Sequence, residues 1–315
     1  MNNEFTLNGS TQSWTRHWVV RLLVLVVIVE TATPLMYGMF MVSELLHPWD
    51  PYHLSGIMCA LIGLTALGSM ILLEHRHIGG HSTMASGLIP TSRSPRLFVG
   101  GVLWATAMIA AVGLVAVALG ARLVESQLSL GRYSLAFSIA LSTGEELVFR
   151  AGMLSIVSER FGSVTGVIVT SLVFGLIHLS NPDAGLLSTL NTVLIGLAFG
   201  VTTVRSGSIW TAVGCHATWN LLVALFFGTV SGFVGSEMGL SWFTLVTDES
   251  SLTTTLFPGA YGIEASPLAT LVIIISFPFL RHISRPDPYI MAARYRDAFS
   301  TRHSPVTIPH SITQS

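Results

Sequence analysis

Residues Tyr133–Val157 read YSLAFSIALSTGEELVFRAGMLSIV, a run long and apolar enough to cross a bilayer, yet Glu145, Glu146 and Arg150 sit in its middle. A charge held at membrane depth costs on the order of 3 kcal/mol on insertion scales. Three of them in one span therefore mark a place where polarity has a use. The pattern continues in two later apolar stretches. Ser171–Pro182, SLVFGLIHLSNP, carries Phe174 and His178, and Gly214–Leu222, GCHATWNLL, carries His216 and Asn220.

Composition agrees with a membrane setting. The chain is 51% hydrophobic and only 10% charged, too few charges to cover a soluble globule of 315 residues. All 15 basic residues are Arg, so neither a Schiff-base lysine nor a phosphate-loop lysine is available. Cys59 and Cys215 both lie in apolar runs, where a thiol behaves as a small hydrophobe, and no disulfide framework is implied. The expected fold is an all-α polytopic membrane bundle of about eight transmembrane helices, each near the ~20 residues a bilayer needs. They are expected near Trp18–Met41, Leu54–Leu73, Leu97–Gly120, Tyr133–Val157, Gly162–Leu179, Leu186–Val204, Ile209–Gly232 and Leu268–Leu280. Glu30, Pro34 and Gly38 interrupt the first, which reads as an anchor and not a removed signal peptide.

Arginine placement orients the bundle. Arg76, Arg93, Arg96, Arg160 and Arg205 fall in loops on one side, with Arg281, Arg285, Arg294, Arg296 and Arg302 in the tail. Asp50, Asp183, Glu237, Asp248, Glu249 and Glu264 fall on the other, diluted by Arg122 and Arg132. By the positive-inside rule both termini are cytoplasmic. Residues 1–315 read as one integral membrane domain with a basic tail over 281–315. In that tail Ile290, Met291, Tyr295 and Phe299 fit an apolar stripe of an interfacial helix, and a disordered basic tail fits equally. His75, His77 and His81 in HRHIGGH read as a solvated loop, and Glu30 as an isolated intramembrane acid.

Helical spacing puts Glu145 and Glu146 about 100° apart, with Arg150 one turn beyond Glu146 in the favourable acid-first order. Glu146 and Arg150 can thus neutralise each other, and Glu145 has no partner in its own helix. His216 and Asn220 share a face at i,i+4. Taken singly, these residues also fit plain packing: a protonated carboxyl in a polar cavity, a hydrogen-bonded core histidine, or interhelical glue.

Together, EExxxR, FxxxH and HxxxN, in that order and each in its own apolar helix, resemble the signature of the CAAX protease and bacteriocin-processing family of intramembrane endopeptidases. The resemblance runs from about Tyr133 to Asn220, with a weaker echo in PGAYGIEASPLATL before the last span, giving a family-like core over 133–280. It implies that Glu145 and His178 activate a water molecule and that His216 and Asn220 steady the oxyanion. Glu146 and Arg150 then support them, Glu146 also being placed to share proton handling, and Phe174 packs beneath His178. The chemistry is coherent, since a desolvated carboxylate is a competent base near neutral pH and N–H donors stabilise a tetrahedral oxygen.

The residues alone also admit a metal mechanism. Glu145, His178 and His216 form a two-histidine, one-carboxylate zinc set with Glu146 as base. The HExxH spacing is absent and the resemblance points to metal-independent chemistry, so no cofactor is expected. The expected partners are a membrane-associated peptide or protein substrate and the lipid bilayer, with no nucleic acid, and the expected location is a prokaryotic plasma membrane. Two other classes use the same cluster: a proton-coupled transporter with a Glu/Arg/His relay, and a noncatalytic membrane scaffold.

Overall fold

A computed structural model describes residues 17–46, 54–125, 134–234, 243–246 and 260–302. The principal helices are α1 (Trp18–Leu46), α2 (Leu54–Leu73), α3 (Ser94–Ala118), α4 (Ser134–Glu146), α5 (Leu154–Phe161), α6 (Ser163–Ile177), α7 (Leu186–Ser206), α8 (Trp210–Phe227), α9 (Pro267–Ser276), α10 (Leu280–Ile283) and α11 (Pro288–Arg302). The only strand pairings among the described residues are two short antiparallel ribbons, Arg122–Glu125 with Phe243–Val246 and Thr229–Val230 with Phe233–Val234. The all-α expectation holds.

Among the described residues, five helical segments are long and apolar enough to cross a membrane. The number is six if Pro267–Ile283 and Pro288–Arg294, bent by 86° at their junction, count as one span. About eight were expected; in the fourth stretch Glu145, Glu146 and Arg150 place three charges within one helical run, more than an apolar span carries. There α4 and α5 are separated by a π-helical turn, Leu147–Met153, so the polar middle of Tyr133–Val157 is not one regular helix. Helix α1 instead runs on through Pro34 as one helix, as membrane helices tolerate when neighbouring groups satisfy the freed carbonyl.

Two apolar clusters hold the bundle. The larger joins α3, α7, α8 and α9 through Trp104, Met108, Phe199, Trp219, Val223 and Ile273; the smaller joins α1, α2, the π turn and α8 through Leu25, Ile71, Leu147 and Val213. Helices α3 and α8 touch backbone to backbone. A Cβ on Gly101 would stand 2.1 Å from the Thr211 carbonyl oxygen, and one on Gly214 would stand 2.3 Å from that of Phe98. Close approach through small residues is how membrane helices gain dispersion contact, because lipid tails compete for ordinary apolar packing. This fixes α8, and with it His216, against the rest of the bundle.

The arginine-rich end departs from expectation. The HRHIGGH segment is not a solvated loop: Glu74 and His75 are buried in a π-helical extension of α2. Arg21 of α1 pairs with Glu74 at 2.6 Å and with Glu159, and Glu159 also meets His81 at 3.1 Å. Burial pushes the Glu159 carboxyl up, but the His81 and Arg21 partners outweigh it and hold the group below the usual carboxylate range. The tail forms α11, whose Ile290 and Ala293 are buried. It is anchored by Arg294, which donates to the carbonyls of Ala85 at 3.0 Å and Gly207 at 3.2 Å. The side chains of Tyr295 and Phe299 lie outside the described residues, as do Asp50, Arg132, Glu237, Asp248 and Glu249. Glu30 stands on the exposed face of α1.

Candidate active site

Glu145 and Glu146 end α4 where the backbone widens into the π turn, and such turns often occur at functional sites because they re-aim side chains. The two neighbours then part company. Glu146 is fully buried; its Oε1 accepts from Arg150 Nη1 at 3.1 Å and lies 2.8 Å from His216 Nδ1. Glu145 keeps 23% of its side chain exposed, and its Oε2 lies 4.0 Å from His178 Nε2 and 3.9 Å from His216 Nε2. Those gaps are too long for direct hydrogen bonds and suit one bridging water, since two bonds of ~2.8 Å span about 4 Å when they meet near a right angle.

Histidine tautomers follow from the partners. His178 Nδ1 lies 2.6 Å from the Phe174 carbonyl oxygen, which can only accept, so Nδ1 carries the proton and neutral His178 presents an Nε2 lone pair toward Glu145. His216 Nδ1 likewise faces the Glu146 carboxylate, leaving Nε2 toward Glu145. The FxxxH spacing thus does more than pack an aromatic: residue 174 supplies the carbonyl that sets the tautomer of residue 178, and its ring lies 4.7 Å from the imidazole.

Arg150 is 1% exposed and wrapped in aromatic faces, with its Cζ 4.5 Å from the Phe174 ring centroid, 5.2 Å from that of Phe199 and 5.7 Å from that of Phe149. Its Nη2 donates to the Gly196 carbonyl at 3.4 Å. A guanidinium tolerates such a site because its faces are weakly hydrated and its edge is paired. Phe199 also stacks on His216 at 5.4 Å, so α7 builds one wall of the site. Asn220 donates to Ser142 Oγ at 2.9 Å, which draws its carboxamide toward α4.

All seven motif residues therefore converge where α4, the π turn, α6 and α8 meet. Phe199, Gly196 and Ser142 were not singled out from sequence: an apolar residue, a glycine and a serine in membrane helices carry no motif of their own. A further missed residue is Glu264, buried just before α9. It accepts from Trp219 Nε1 at 2.9 Å and from the Ser231 backbone N–H and hydroxyl, tying the residue beside Asn220 to the loop that follows α8. Burial raises its carboxyl above the usual range despite those donors. Its signal lay in the PGAYGIEASPLATL segment. For the alternative zinc set, the geometry is not that of a formed ligand group: among the described residues no cluster of three or more His, Cys, Asp and Glu has a metal-holding arrangement.

The described helices thus enclose a glutamate–histidine centre. Residues 128–222, which contain every motif position, match the family described as type II CAAX prenyl endopeptidase Rce1-like, so this segment is similar to that family. No curated protein and no solved structure matches the chain.

Proposed function

We propose that the protein is an intramembrane endopeptidase that hydrolyses a peptide bond of a membrane-associated peptide or protein by carboxylate chemistry without a metal. The observation that carries this reading is the division of labour between the adjacent glutamates. Glu146 is committed to Arg150 and His216, while Glu145 faces two imidazole Nε2 atoms across water-sized gaps. A water there can donate one proton to Glu145 and the other to the His178 lone pair, which raises its nucleophilicity toward a carbonyl carbon. Attack moves an electron pair onto the carbonyl oxygen. His216, held at Nδ1 by Glu146, and the remaining Asn220 N–H are the donors for that oxygen. The proton taken by Glu145 then passes to the leaving amine.

Within this reading the core is residues 133–280. The first and fourth stretches complete a set of about eight membrane-crossing segments, and both termini lie with the arginine-rich loops on the cytoplasmic side of a prokaryotic plasma membrane. The test is cleavage of a quenched-fluorescent membrane-peptide library by the purified full chain, beside Glu145→Gln and His178→Ala, with and without chelator. Cleavage lost in both variants and unchanged by chelator is expected. Loss on chelation with rescue by zinc would move the same residues into a metal site, and proton-linked flux without cleavage would make the protein a transporter.

A further inference from the structure

Two strained segments of backbone meet beside the site. Asp183 (φ 54°) and Ser231 (φ 48°) are the only non-glycine residues of positive φ among the described residues. Ser231 and Gly232 (φ 86°) form the two-residue turn between Thr229–Val230 and Phe233–Val234, and type I′ hairpins likewise set both central residues left-handed. A Cβ on Gly232 would stand 2.0 Å from the carbonyl oxygen of Pro182, which precedes Asp183 and follows His178 by four residues. The turn therefore presses, backbone to backbone, on the chain that leaves His178.

A left-handed residue with a side chain persists only where its surroundings hold it. Glu264 holds Ser231: its Oε2 accepts from the Ser231 N–H and from the Ser231 hydroxyl, the latter at 3.2 Å. Its Oε1 accepts from Trp219 Nε1 at 2.9 Å, and Trp219 lies on α8 beside Asn220 and three residues after His216. One carboxylate thus joins the helix that carries His216 and Asn220 to the turn that bears on the His178 segment.

Tyr261 repeats the link. It is 2% exposed, and its hydroxyl is engaged with the side chains of Ser231, Asn181 and Thr192. Burial pushes the phenol up to about 12, with the Glu264 carboxylate adding to the rise, so it remains an O–H donor. Helix α7 anchors the segment that carries both residues, since Asn191 Nδ2 donates to the carbonyls of Glu264 at 2.8 Å and Ser266 at 3.1 Å.

We propose that Glu264 is a positioning residue for the hydrolysis proposed above: by clamping the Ser231–Gly232 turn against residues 181–183, it sets where His178 stands relative to Glu145 and His216. The inference rests on that hydrolytic reading. The His178 and His216 Nε2 atoms lie 4.0 Å and 3.9 Å from Glu145 Oε2, and a displacement of about 1 Å in such a site can cost on the order of 100-fold in rate.

The test measures steady-state cleavage of a reporter peptide and hydrogen–deuterium exchange on the purified full chain, for the wild type, Glu264→Gln and Tyr261→Phe. Glutamine keeps the shape of the side chain but accepts at only one of its two ends, so either Trp219 or Ser231 loses its acceptor. In Glu264→Gln, kcat should fall by about 10–100-fold while KM stays within about twofold. Exchange should quicken over residues 178–185 and 229–234, with α2 and α3 exchanging as in the wild type. Tyr261→Phe, which changes no charge, should lower kcat several-fold with the same regional pattern, and it carries the test if Glu264→Gln fails to fold. Unchanged exchange over 178–185, quickened exchange there with wild-type kcat, or quickened exchange throughout the molecule would overturn the proposal. A wild-type chain that cleaves nothing would overturn the hydrolytic reading instead, and exchange alone would then decide whether the clamp exists.

Discussion

Replacing each of the adjacent glutamates by glutamine separates structure from chemistry. In Glu146→Gln, the carboxylate that faces both Arg150 and His216 loses its charge while Arg150 stays 1% exposed. Breaking a buried pair from one side costs about 3–5 kcal/mol, a large share of the ~5–15 kcal/mol that holds a typical domain together. In Glu145→Gln, the altered group is partly exposed and makes no hydrogen bond to protein, so the change in stability should stay within about 1 kcal/mol. Its effect belongs in the rate: removing a general base lowers turnover by about 10²–10⁴-fold, or roughly 3–5 kcal/mol of barrier. Equilibrium unfolding in mixed micelles and cleavage of a reporter peptide, measured on the same preparations, read the two quantities. Glu145→Gln should be a stable, inactive protein and Glu146→Gln an unstable one. Equal destabilisation by both, or full activity in Glu145→Gln, would refute the assignment.

Glycine contacts predict a second contrast. Gly101→Ala and Gly214→Ala force a Cβ into backbone atoms of the facing helix and should destabilise the protein by about 1–3 kcal/mol or more, whereas Gly38→Ala meets nothing within 4 Å and should be neutral or slightly stabilising in thermal unfolding. Glu159, held below the usual carboxylate range, contributes stability that is fully present above its unfolded value near 4.5 and is lost as pH falls through the folded value. Unfolding midpoints should therefore drop below about pH 4.5 and respond less to acid in Glu159→Gln. Trp219→Phe removes a donor to Glu264 one residue from Asn220; reporter cleavage should fall more than thermal stability, and equal losses would make the contact purely structural.

How much was legible in advance differs by residue. Six of the seven motif positions were readable because charged, imidazole and amide side chains are costly at membrane depth and stand out against an apolar background; Phe174 was singled out only by its spacing from His178. Their convergence was implied only by the family resemblance, since no spacing within one helix says which faces three helices turn toward each other. The widening at Leu147–Met153 was invisible, because a π turn has no distinct composition. HRHIGGH misled for a related reason: polar residues near a helix end usually face water, and these are buried because Arg21, far away in sequence, supplies the partner for Glu74.

By itself the sequence determined the solvent, the helical class and the chemical inventory, for these follow from composition and from the cost of charge in lipid. The tertiary structure decided which glutamate is neutralised and which is left facing the histidines. It also set which nitrogen of His178 carries its proton, through the Phe174 carbonyl, and enclosed Arg150 between aromatic rings. Each of these depends on distances between helices, fixed by close backbone contacts such as Gly101 against Thr211, and packing distances are not properties of any one segment.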